Sequence, residues 1–156
     1  MDFFKKIWAW IRKAFFGYKK PKIIYPFTDD IDTWDPMQLE ILRQFNLYRL
    51  NNNLGILKTD LGIRLETDIR CEQMAEAGTI SHDKFGLSSE RLKAKGLVSV
   101  GEIIAYGYST ADDVVHAWKN SPGHNKLILT SRYTHCGIST INFRNNTKIY
   151  CVIFGR

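Results

Sequence analysis

The stretch Val115-His116-Ala117-Trp118-Lys119-Asn120-Ser121-Pro122-Gly123-His124 decides how the rest of the chain is read. Val114, Val115 and Trp118 recur at helical steps and give one apolar face. Thr110 is a side-chain cap for that helix, and Asp112 and Asp113 in its first turn complement the helix dipole. Ser121-Pro122 then ends one helix and starts another, with serine as the N-cap and proline at the first helical position. His124 is thereby placed in a first turn. The positive end of a dipole there disfavours imidazolium, and a neutral imidazole can ligate a metal or act as a base.

Upstream, Val98 to Tyr106 reads as a strand of β-branched and aromatic residues with one charge, Glu102. A carboxylate inside a strand core is costly unless paired. Two histidines are candidate partners: His124, and His82 in the loop after a helix. That helix covers about Ile63 to Ala77, with Leu65, Ile69 and Met74 expected inward and Gly78 as its stop. A short helix is expected from Ser88 to Lys95, closed by Gly96.

Further upstream, Asp35, Pro36 and Gln38 form a capping box at a helix whose buried side is Leu39, Ile41, Leu42, Phe45 and Tyr48. Downstream, Cys136–Ile141 and Lys148–Phe154 read as an antiparallel hairpin turned at Asn145-Asn146. Residues 35–156 therefore make one mixed α/β domain. Of the other histidines, His116 lies on a helix and His135 precedes a strand, and both read as structural or surface residues. Ser81 and Ser121 flank the site histidines but read as a loop residue and an N-cap, not as nucleophiles.

The net charge of +6 belongs to the N-terminus. Residues 1–22 carry seven Lys or Arg against Asp2 alone, a surplus of six, so the remainder is balanced and gives no support for nucleic-acid binding. Within residues 1–17, Phe4, Ile7, Trp8, Ile11 and Phe15 recur at three- and four-residue steps, with Lys5, Lys6, Arg12 and Lys13 mostly off that stripe. Residues 3–16 thus read as a basic amphipathic helix in need of a partner: a membrane surface, a protein assembly, or this chain's own domain. Residues 18–34, with Pro21 and Pro26, read as an extended linker. The apolar stretch Ile7–Ile11 is too short for a secretory signal or a membrane span. Three cysteines, Cys71, Cys136 and Cys151, match no metal motif and read as part-buried thiols, with a Cys136–Cys151 bridge as the alternative.

In order and spacing, residues 35–156 resemble the CAP superfamily, also called the SCP or PR-1-like domain, in its bacterial-type branch. The resemblance rests on Asn46-x-x-Arg49 followed by Leu54-Gly55, on Ser81-His82, on Gly101-Glu102-Ile103-Ile104-Ala105, on the stretch from Val115 to His124, and on Gly137 and Val152-Ile153-Phe154-Gly155. It implies an α+β fold, a three-layer α-β-α sandwich around a three-stranded core sheet. It also implies that His82, Glu102 and His124 share one cavity, with His82 and His124 as candidate zinc ligands and no cofactor certain. Ser121 and Ile103 stand where other branches place a second Glu and an Asn, which thins the polar site.

Two functions follow as expectations. One is a binding or interaction module for a lipid or cell-envelope ligand, tethered by residues 3–16 to a membrane or to a larger assembly such as a phage particle. The alternative is a hydrolase, metal-assisted or histidine-based. The expected setting is extracellular, virion-associated or peripheral to a membrane.

Overall fold

The computed structural model describes residues 34–156. The arm expected over 1–17 and nearly all of the linker expected over 18–34 lie outside the described residues. The elements are α1 (Pro36–Asn51), β1 (Lys58–Thr59), α2 (Leu61–Ala77), α3 (Phe85–Ala94), β2 (Val100–Tyr106), α4 (Ala111–Asn120), α5 (Pro122–Ile128), β3 (His135–Asn142) and β4 (Lys148–Gly155). Local sequence sets most of their ends. The Asp35 carboxylate accepts from the Gln38 amide at 2.9 Å while the Gln38 side chain accepts from the Asp35 amide at 3.2 Å, closing the capping box of α1. Asp60 caps α2 through the Ile63 amide, and Gly78 ends it in the left-handed conformation at φ 71°.

The sheet order is β1-β3-β4-β2. β2, β4 and β3 are antiparallel and form the expected three-stranded core. β1 adds a two-residue parallel rung at the β3 edge, Lys58 opposite His135 and Thr59 opposite Cys136. The β3–β4 hairpin turns through Arg144–Asn146, where Asn145 takes φ 56°.

Alternation along the strands divides the core in two. Ile103, Ala105, Ile138, Tyr150, Val152 and Phe154 face one side, where they meet Ile41, Phe45, Trp118 and Ile128 of α1, α4 and α5. Ile104, Ile149, Cys151 and Ile153 face the other, against Ile63, Cys71 and Met74 of α2 and Leu92 of α3. This is the α-β-α sandwich. At Gly137 the α2 backbone lies directly against the sheet, and a Cβ there would lie 2.5 Å from the Arg64 amide nitrogen.

Three local expectations are corrected. Leu65 and Ile69 are exposed, and the buried face of α2 is Ile63, Glu66, Thr67, Arg70, Cys71 and Met74. Glu66 and Arg70 occupy inward positions there because each finds a partner across the interface, and Thr67 donates to the Arg64 carbonyl within the helix. The β2 strand starts at Val100, with Val98 exposed ahead of it. The third helix starts at Phe85, three residues earlier than the Ser88 start expected. The three thiols are free and buried, and Cys136 and Cys151 point to opposite faces of the sheet, so no bridge joins them.

Two buried polar residues of α1 fix the frame around the site. Asn46 donates to the Leu57 carbonyl at 3.0 Å and accepts from the Leu57 amide at 2.8 Å, imitating a strand partner for the loop before β1. Arg49 donates to the carbonyls of Gly55, Ile128, Thr130 and Tyr133 at 2.7–3.1 Å. It thereby ties α1 to the end of α5, the helix that carries His124.

Candidate functional site

Glu102 sits on β2, an edge strand, with its side chain turned toward α2 and fully buried. Arg70 of α2 answers it. Arg70 Nε donates to Glu102 Oε2 at 2.7 Å and Nη2 to Oε1 at 3.4 Å, and the guanidinium also donates to Gln73 Oε1 and to the Ser81 carbonyl. A buried carboxylate and a buried guanidinium are stable together only if their remaining hydrogen-bonding capacity is met, and here it is. Arg70 is the site residue that the sequence reading missed. Its signal was available: a long cation at an inward position of α2, at helical spacing from Ile63, Cys71 and Met74.

His82 bonds the same carboxylate from the loop between α2 and α3. Its Nδ1 lies 2.8 Å from Glu102 Oε1, and its side chain is 55% exposed where that of Glu102 is 0%. The loop is shaped for this. The His82 carbonyl accepts from the Phe85 amide at 2.9 Å, and the Ser81 hydroxyl accepts from the Asp83 amide at 3.0 Å. A carboxylate already accepting from Arg70 takes Nδ1–H as donor, which in the neutral ring leaves Nε2 as the exposed acceptor. The order from core to surface is therefore Arg70, Glu102, His82.

His124 lies in the first turn of α5, behind Ser121 at the N-cap position and Pro122. The Ser121 hydroxyl makes no capping hydrogen bond. Burial, and then the charge of nearby His82, lower the pKa of His124 from its ordinary 6.5. Its ring is thus neutral at neutral pH, but among the described residues no hydrogen bond joins it to Glu102 or His82. The structure brings His82 and Glu102 into contact and places His124 within electrostatic reach of His82.

From His124 a groove of about 310 Å³ runs along the outer edge of β2. Ile80, Ala105, Tyr106, Ala117 and Trp118 form much of its wall. Trp118 holds helix and strand together there, donating from Nε1 to the Ile104 carbonyl at 3.2 Å. The groove is at the small end of the usual range for small-molecule sites, and its mainly apolar lining with one polar end is their usual character.

The donor set bears on a metal. One Glu102 oxygen is engaged by Arg70 and the other by His82, and among the described residues no group of three His, Cys, Asp or Glu side chains is placed to hold an ion. His82 and His124 supply two nitrogen donors, one fewer than the three protein ligands of a catalytic zinc. His116 and His135 lie apart from the site, bonded to Asn120 and Thr134.

A model of the cysteine-rich secretory protein family, CAP, matches residues 42–154. The chain is 32% identical over 126 residues to the uncharacterized membrane protein YlbC of Bacillus subtilis, covering 75% of this chain. It spans only 36% of the length of that relative. An outer surface protein from Borrelia burgdorferi is similar in structure, with TM-score 0.67 at 25% identity over 74% of this chain and 89% of that one. An extracellular SCP-domain protein from Bacillus anthracis gives TM-score 0.66 at 27% identity over 76% of this chain and 40% of that one.

Proposed function

The chain belongs to the cysteine-rich secretory protein (CAP) family, and from that premise we propose that residues 35–156 act as a binding module for an apolar ligand with a polar head. The observation that carries this reading is the groove. Its apolar walls suit a hydrocarbon or ring, and His124, with His82 beside it, offers nitrogen partners for the head. Among the described residues no hydroxyl or thiol is hydrogen-bonded to His82 or His124, so no nucleophile stands ready beside a base.

Residues 3–16 serve as the docking arm, lying on an anionic membrane surface through the stripe of Phe4, Ile7, Trp8, Ile11 and Phe15. Segregation of the whole net charge into this end supports that role, as does a relative whose name describes a membrane protein. A larger assembly such as a phage particle is the other partner such an arm fits. Similarity to one outer surface protein and one extracellular protein supports a setting outside the cell or on its surface. No described helix is long and apolar enough to cross a membrane.

A second reading has its own observation. The 2.8 Å contact of His82 with a buried carboxylate is the arrangement of a general base and the group that orients it. Water would be the nucleophile, activated at Nε2 in a histidine-based hydrolase of the same family.

Displacement of a fluorescent acyl probe by medium-chain fatty acids tests the first reading. Saturable binding is expected. Ala117→Trp, which fills the groove from α4, should weaken it at least about tenfold, or roughly 1.4 kcal/mol. Affinity unchanged in that variant would refute the binding module. Ester hydrolysis that is lost in His82→Ala while probe binding persists would establish the second reading. Zinc titration of His82→Ala and His124→Ala against the parent chain asks whether either histidine holds metal, and unchanged affinity in both answers no.

A further inference from the structure

The outer face of α2 carries an unpartnered stripe. Leu61, Leu65 and Ile69 are 52%, 50% and 37% exposed. At about 100° per residue they fall within the same arc as Asp68, Glu72 and Glu76, opposite the buried face. The arc is apolar at the N-terminal half of the helix and acidic toward its C-terminal half. Asp68 lies 4.0 Å from Arg64, while Glu72 and Glu76 have no basic partner among the described residues. Three large apolar side chains in one row on a helix are more than scattered surface residues.

The described chain begins at Trp34, in the core cluster on the α1 side of the sheet. Trp34 is buried, and the Arg64 guanidinium of α2 lies 5.5 Å from its ring centroid. The segment upstream of Trp34 therefore joins the fold within reach of the Arg64 side chain of α2. That segment contains a matching stripe. On a helical projection Phe4, Ile7, Trp8, Ile11 and Phe15 also span about 100°, with Lys5 and Arg12 on one flank. A helix over 3–16 is about 21 Å long and α2 about 25 Å. Residues 17–33 can extend to about 55 Å, far more than a return to α2 requires.

We propose that the outer face of α2 is a docking surface for the chain's own residues 3–16, which set their apolar stripe on Leu61, Leu65 and Ile69 and their basic flank against Asp68, Glu72 and Glu76. One stripe cannot face α2 and a membrane together. Docking on α2 therefore withholds the arm, and an anionic surface competes for it. The regulatory part of this inference rests on the membrane-arm reading above, and the docking itself does not.

Zero-length carbodiimide cross-linking of the full chain, mapped by mass spectrometry, tests it. Bonds are expected from Lys5, the lysine of that flank, to Glu72 or Glu76, within one chain and independent of protein concentration. Leu65→Asp, at a half-exposed position, should reduce them at least fivefold without changing the far-ultraviolet spectrum. The charge reversal Glu72→Lys should do the same for the links to Glu76. Lys5 linked only elsewhere, links only between isotopically distinct copies, or links indifferent to Leu65→Asp would each overturn the proposal. Sedimentation with phosphatidylserine vesicles separates the two readings. Leu65→Asp should raise the bound fraction severalfold, whereas intrachain links with no vesicle binding in any variant would leave the docking standing and remove the membrane role.

Discussion

Glu102 was legible in the sequence as a charge that needed a partner, but the partner was not. Tertiary pairing between α2 and β2 supplies Arg70, thirty-two residues away, and no local pattern encodes that distance. Arg70→Met leaves the carboxylate buried without its cation and should cost about 3–5 kcal/mol in urea denaturation, and Arg70→Met with Glu102→Gln should recover much of that loss. His82 and His124 were placed correctly relative to helix ends, because a stop glycine and a Ser-Pro start are strong local signals. His124 adds a pH dependence. Its pKa is lower folded than unfolded, so the unfolded chain binds more protons as pH falls through 6.5. Stability should be flat above that value and decline below it, and His124→Gln should remove that part of the decline in a series of denaturation curves.

Elements were legible where periodicity and caps agreed. The capping box at Asp35, the Thr110 cap and the hairpin at Asn145 all form as their residues require. α2 shows why agreement can fail. Leu65 and Ile69 matched a helical apolar period but lie outside, because Glu66 and Arg70 have partners across the interface, Arg91 at 2.6 Å and Glu102 at 2.7 Å. Satisfied charges can occupy an inward face, and composition alone ranks them as outward. Gly137 is the matching case in β3. Its missing side chain lets the α2 backbone lie directly on the sheet, so Gly137→Ala should lower stability by about 1–3 kcal/mol in thermal or urea unfolding.

At the scale of the whole molecule, the mixed fold was legible because one helix-to-helix junction, one charged strand and one hairpin occur in a fixed order. The groove was not, since it arises from β2 being an edge strand covered on one side by α4, and strand order is a property of the sheet. Ile80, Ala105 and Ala117 carry no chemical signal of their own. They become one groove wall only when Trp118 pins α4 to the Ile104 carbonyl. The buried chain from Arg70 through Glu102 then presents His82 within electrostatic reach of His124 at the end of that wall, in a frame held by the four carbonyl contacts of Arg49.

Backbone and methyl chemical-shift mapping of the full chain titrated with a medium-chain fatty acid tests this most directly. Saturable shifts confined to Ile80, Ile104, Ala105, Ala117 and His124, and abolished in Ala117→Trp, are the predicted result. Shifts that do not saturate, or that fall on other faces with the groove unmoved, would contradict it.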